Sequence, residues 1–114
     1  MKISIEKTTE KNTYYRKVLY TTKQLQLVVM CLKKGQEIGR EKHPHTSQFI
    51  RVEKGKAKAV IGKSVYRLKS GDAVIIPAGK YHNIINTGKK DLKLYTIYSP
   101  PEHPKNRKEK LKKD

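Results

Sequence analysis

The stretch Gly71-Asp72-Ala73-Val74-Ile75-Ile76-Pro77-Ala78-Gly79-Lys80-Tyr81-His82-Asn83 decides how the rest of the chain is read. Ser70-Gly71-Asp72 is turn sequence, Ala73 to Ile76 is an apolar run too short for a helix, and Pro77-Ala78-Gly79 is a second turn. His82 then opens a further apolar run through Ile85. Turn, strand, turn, strand in so few residues is the rhythm of an antiparallel sheet.

The same rhythm continues on both sides. Upstream, Ala57, Ala59 and Ile61 alternate with Lys56 and Lys58, Gly62-Lys63 makes a two-residue hairpin turn, and Val65 to Leu68 returns. Downstream, Asn86-Thr87-Gly88-Lys89 separates the His82 strand from Leu92 to Tyr98. Further upstream, Leu25, Leu27, Val29 and Cys31 alternate with Gln24, Gln26, Val28, Met30 and Leu32, so this strand turns apolar on both faces and is predicted to be covered on both. No window sustains a long amphipathic helix. Many short strands punctuated by glycine predict an all-β sandwich or small barrel.

Composition narrows the class. The 114 residues suffice for one core and not two. A single cysteine, Cys31, excludes an internal disulfide and fits a reducing compartment. Met1-Lys2-Ile3-Ser4-Ile5-Glu6 lacks the apolar run of a secretion signal, and no stretch is apolar enough for a membrane span, so a cytoplasmic protein without a membrane partner is expected. The charge is extreme, with 27 Lys+Arg against 10 Asp+Glu and a net +17. Six cations against Glu109 and Asp114 give residues 103–114 only +4, leaving +13 on the body. Such a surface attracts nucleic acid and other polyanions non-specifically and in a salt-sensitive way. No RNA-binding motif, zinc-finger spacing or recognition helix accompanies it.

Three of the four histidines fall in two short places, His43-Pro44-His45 with Gln48 nearby, and His82 after its turn. An all-β protein gathers metal ligands from different strands in this way, and neutral imidazoles suit borderline divalent ions such as Fe, Mn, Ni, Cu or Zn. Period-two alternation would place Glu41, His43 and His45 on one strand face. His103 reads as a surface residue at the edge of the basic tail, Tyr81 as packing, and Cys31 as an inert core thiol.

The segment from Gly35 through His43-Pro44-His45 and Gln48 to Gly55 resembles the first motif of the cupin superfamily, a His-x-His pair followed by a Glu or Gln six residues ahead of a Gly. Gly71 to Asn83 resembles the second, which ends in a His, and Leu92 to Pro104 looks like the close of a small single-domain bacterial-type cupin. The interval from His45 to Gln48 is shorter than the commonest family spacing, and Gln stands where many cupins have Glu. The resemblance implies a double-stranded β-helix, or jelly-roll barrel, with a divalent transition metal held inside by His43, His45, Gln48 and His82. If the amide of Gln48 ligates, the protein adds no negative charge, and the site favours small anionic oxygen ligands. Glu41 or Glu37 would restore that charge by reaching in.

The expected organisation is one barrel domain over residues 1–104, with an N-terminal arm to about residue 20, and a flexible basic tail at 105–114. Ile3, Ile5, Val18 and Tyr20 alternate as edge strands would, and edge pairing with a second copy predicts a homodimer. The resemblance offers an isomerase or epimerase of a sugar or organic acid, or a metal-dependent dioxygenase. The fold also hosts non-enzymatic binding modules, here one with a basic surface for nucleic acid or other polyanions, so fold alone does not choose.

Overall fold

A computed structural model describes residues 1–112 of the chain. After one short helix, α1 (Ile5–Lys11), come nine strands: β1 (Arg16–Thr21), β2 (Gln26–Leu32), β3 (Ser47–Lys54), β4 (Lys56–Ile61), β5 (Ser64–Lys69), β6 (Ala73–Ile76), β7 (His82–Asn86), β8 (Leu92–Ser99) and β9 (Lys108–Glu109). They form two antiparallel sheets, a larger one in the order β6-β3-β8-β2-β1-β9 and a smaller one in the order β5-β4-β7. Chain crossovers between the two sheets close them into a jelly-roll barrel, the expected fold class.

The alternation in the sequence is what fills the barrel. Val28, Met30, Leu32, Ile50, Val52 and Leu94 project inward from the larger sheet, and Ala57, Ala59, Leu68 and Ile84 from the smaller one. Each large aliphatic group so buried contributes roughly 1.5–3 kcal/mol. β2 is covered on both faces, as its sequence predicts: Val29 and Cys31, on its other face, are also buried, and the Cys31 amide donates to the Tyr14 and Tyr15 carbonyls of the N-terminal segment.

Two stretches differ from the sequence expectation. Ile5 opens α1 instead of an edge strand. Thr9 is buried there, its hydroxyl donates to the Ile5 carbonyl, and Glu6 and Lys11 sit at the helix ends that suit their charges. The segment from Lys105 is the second. Lys108 and Glu109 pair with Lys17 and Arg16, the Val18 amide donates to the Arg107 carbonyl, and Arg16 Nη1 meets Glu109 Oε1 at 2.9 Å. These backbone bonds and a half-buried ion pair supply the ordering energy that its few apolar residues do not. The edge of β1 offered to a second copy by the sequence is therefore filled by β9 of the same chain. Residues 113–114, the end of the expected tail, lie outside the described residues.

Between β2 and β3 the chain runs irregularly alongside β7, touching it at two isolated antiparallel bridges, Glu37 to Ile85 and Glu41 to His82. This detour brings the first histidine segment onto the strand that carries His82.

The β3–β4 connection tests the packing. Gly55 has φ +94°, and a Cβ there would lie 2.8 Å from the Asp91 carbonyl oxygen and 3.1 Å from Leu92 Cα, whereas Gly71, at φ +92°, has open space around it. Gly71→Ala should cost about 1 kcal/mol of backbone strain, and Gly55→Ala about 2 kcal/mol or more because backbone must also move. Urea unfolding of the two variants measures the difference; equal losses would mean the Gly55 contact is not as tight as described.

Candidate metal centre

Glu41 and His82 form a hydrogen-bonded bridge pair, each amide donating to the other's carbonyl at 2.9 Å. Residues opposite one another in such a pair share a face, and both side chains turn into the barrel. His43, two residues beyond Glu41, turns in as well. Glu41 Oε1 lies 3.4 Å from His43 Nε2 and 3.4 Å from His82 Nε2, the imidazole centroids are 5.1 Å apart, and one donor atom from each of the three residues falls within 4.8 Å of the others.

The outer partners of the imidazoles orient them. His82 Nδ1 lies 3.0 Å from the Lys80 carbonyl oxygen. A carbonyl only accepts, so Nδ1 carries the hydrogen and the Nε2 lone pair faces the centre. His43 Nδ1 lies 3.3 Å from Glu102 Oε2, which imposes the same orientation. Both Nε2 atoms are buried without a hydrogen-bond partner among the described residues, and so is Gln48 Oε1. Gln48 has turned its amide so that Nε2 donates to Thr96 Oγ1 at 2.9 Å, leaving the oxygen free. In the β3–β8 register Gln48 stands opposite Tyr98, whose ring packs edge-on against His43 at 5.8 Å. Buried acceptors rarely go unpartnered. Two imidazole nitrogens and a carboxylate oxygen so close together are a donor set that suits a divalent transition metal.

Without a metal, a proton must separate these acceptors. Burial would raise the Glu41 pKa, but the close approach of the His43 and His82 imidazoles outweighs it and holds the carboxyl down at about 2. The same contact with Glu41 pushes the His43 imidazole above its ordinary value against the effect of burial, with Glu102 adding to the rise.

Glu102 is brought in by a clamp. Gln26, fully buried in β2, accepts from the Glu102 and His103 amides through Oε1 and donates through Nε2 to the His103 carbonyl and Thr21 Oγ1. The segment it grips places the His103 ring edge-on against Tyr98, with Nε2 3.3 Å from the hydroxyl. His103 is thus half-buried at the rim and not the free surface residue its neighbours in sequence suggest. Burial, together with Arg16 and Arg107, brings its pKa down to about 4. Burial likewise raises the Tyr98 phenol well above its ordinary range.

Of the four ligands the sequence resemblance implies, His43 and His82 meet in the cluster, and Gln48 presents an unpartnered oxygen on the interior face. His45 is exposed and lies outside it. Alternation does not carry from His43 to His45, because Pro44 and His45 form a turn and not a strand. Glu41 is the residue brought in instead, and reading Glu41-x-His43 as the pair lengthens the interval to Gln48 by two residues, which removes the short spacing. Glu37 stays outside, accepting from Asn83 Nδ2 at 3.0 Å. Tyr81, beside His82, points outward.

A family model described as a cupin domain matches residues 28–98. The uncharacterized protein YrkC of Bacillus subtilis is 42% identical over 108 residues, covering 90% of this chain and 58% of that protein. An uncharacterized protein of Acanthamoeba polyphaga mimivirus is 47% identical over 106 residues, covering 90% of this chain and 66% of its own length. The chain thus spans less than two thirds of either curated relative. The crystal structure of a Bacillus halodurans protein superposes with a TM-score of 0.95 at 38% identity, covering 96% of this chain and 88% of that one.

Two outcomes follow for the centre. In metal-free protein the Glu41–His43 pair stabilises the fold where the carboxylate is ionised and the imidazole protonated, above Glu41's depressed pKa and below His43's raised one. Glu41→Gln should therefore lower thermal stability most at mildly acid pH, between the ordinary values of 4.5 and 6.5, with the loss shrinking as pH rises through the His43 pKa. A loss independent of pH would contradict the pairing. Glu102→Gln, which weakens the acceptor on His43 Nδ1, should reduce metal affinity about 10- to 100-fold in a chelator competition; unchanged affinity would remove Glu102 from the outer sphere.

Proposed function

The chain belongs to the cupin family, and on that premise we propose that it holds a divalent transition metal on Glu41, His43, Gln48 and His82 and acts there on a small anionic sugar acid or organic acid by proton transfer, as an isomerase or epimerase does. The observation that carries the metal is the convergence of unpartnered acceptors on Glu41 Oε1. One carboxylate against a divalent ion leaves the site with net positive charge, which favours a carboxylate or enolate oxygen as the remaining ligand. When bound, the metal supplies Lewis acidity that polarises a carbonyl and stabilises negative charge developing on its oxygen.

The protein's own groups favour proton transfer over the dioxygenase alternative. Tyr98 is buried beside His43 as a neutral phenol, a donor able to stabilise or protonate an oxyanion. Its hydroxyl is within reach of His103, which burial keeps neutral at physiological pH and which sits at the rim, so the pair forms a proton path from interior to solvent. Gln26 fixes the geometry of that path through the backbone of residues 102–103.

Elemental analysis and isotope exchange test the two halves. Protein purified without added metal should contain about one transition metal per chain, retained in His45→Ala and lost in His43→Ala/His82→Ala. Incubated in heavy water with a panel of hexuronic acids and small hydroxy and oxo acids, the loaded protein should exchange a carbon-bound α-proton of at least one. Tyr98→Phe should slow that exchange about 100-fold or more while keeping its metal. Metal bound with no exchange on any acid would favour a binding module, and metal retained by the double variant would remove the site.

A further inference from the structure

The outer face of the smaller sheet has a chemistry of its own. Ala57 and Ala59 of β4 point into the core, so Lys56, Lys58 and Val60 face outward, directly opposite Lys69, Arg67 and Val65 of β5. Two successive outward rungs therefore set cation against cation, an arrangement that destabilises a sheet. Among the described residues no carboxylate comes within 4.0 Å of Lys56, Lys58 or Arg67, and Lys69 alone meets one, Asp72 at 3.7 Å. A groove of about 250 Å³ borders Lys56, Arg67 and Lys69, with Thr87 and the Asp72 carboxylate that Lys69 engages also on its rim.

The same face continues past Val60, opposite Asn83 of β7, to a shallow hollow of about 160 Å³ that also borders Arg40 and Tyr81. Tyr81 is 44% exposed, with the Arg40 guanidinium 3.9 Å and the Lys42 ammonium 4.8 Å from its ring centroid. His82 turns inward, so its neighbour Tyr81 cannot serve the metal. Glu37, the carboxylate bordering this end, is engaged by Asn83.

We infer that this face binds single-stranded nucleic acid, phosphates lying along Lys56, Lys58, Arg67 and Lys69 and a base stacking at Tyr81. The opposed cations need counter-charge, and a phosphodiester backbone supplies it along a line, as the rungs require. Successive outward residues on a strand are about 6.6 Å apart. An exposed aromatic ring flanked by cations is the stacking platform that single strands use. An acidic membrane would meet the same charges, but a rigid sheet offers no amphipathic helix to sink between headgroups. The inference does not rest on the metal centre: His82 borders the hollow but directs Nε2 toward Glu41.

Fluorescence anisotropy with a labelled oligothymidylate across a salt series tests it. The logarithm of affinity should fall linearly with the logarithm of salt concentration, and Lys58→Gln/Arg67→Gln should reduce the slope by about 1.4, two phosphate contacts for a single strand. Both substitutions relieve like charge, so this variant is expected to fold. Lys7→Gln/Lys11→Gln, on the helix packed against the larger sheet, makes the same change in net charge and should alter the slope far less. Tyr81→Ala should weaken binding about fivefold or more at unchanged slope. Equal losses from the two double variants, duplex bound as tightly as single strand with Tyr81→Ala silent, or tighter binding to phosphatidylserine vesicles than to the oligonucleotide would each overturn the inference.

Discussion

A cluster of buried acceptors governs the interior of this protein. Each imidazole has its Nδ1 hydrogen committed elsewhere, one to the Lys80 carbonyl and one to Glu102, so both Nε2 lone pairs face the same carboxylate oxygen. Lone pairs do not hold one another at 3.4 Å unless something positive lies between them. In the metal-free protein a proton on His43 would do so, the direction in which contact with Glu41 shifts that imidazole. A divalent metal would do so with more charge and more ligands, and under the proposed function it would also give Gln48 Oε1 the partner it lacks.

The rest of the barrel serves to hold those atoms still. The Glu41–His82 bridge fixes two of them through a pair of backbone hydrogen bonds, which no side-chain rotation can undo. The β3–β8 register sets Gln48 beside Tyr98, and Gln26, buried and bonded at both ends of its amide, anchors the segment that brings Glu102 and His103 to the rim. Outward residues on the same strands carry the charge. Lys42 and Tyr81 flank inward-facing site residues yet belong to the external surface, so neighbouring residues of one segment face opposite ways.

The strands between Gln26 and Ser99 other than β3 were legible in the sequence, because Gly, Pro and Asn turns cut apolar runs into lengths that only a sheet accommodates. The coverage of β2 on both faces was legible for the same reason. α1 was not: seven residues with Thr8 and Thr9 in the middle carry little helical signal, and tertiary burial of Thr9 sets the local conformation. Nor was β9 legible, since its order comes from hydrogen bonds to Arg16 and Lys17, far away in the chain. In the centre, His43 and His82 were readable from spacing. Glu41 was visible as a candidate, but period-two counting gave it the same standing as His45, and only the turn at Pro44-His45 separates them. Glu102 left no local trace. Its role depends on a clamp from Gln26, and no short-range pattern encodes that contact.

The most direct measurement of the central claim is an anomalous-scattering map from crystals grown with manganese or zinc. The account predicts one strong peak inside the barrel at about 2.0–2.3 Å from Glu41 Oε1, His43 Nε2, His82 Nε2 and Gln48 Oε1, with His45 turned to solvent. A peak ligated by His45 in place of Glu41, or an interior without a peak in which water alone bridges the imidazoles at saturating metal, would contradict it.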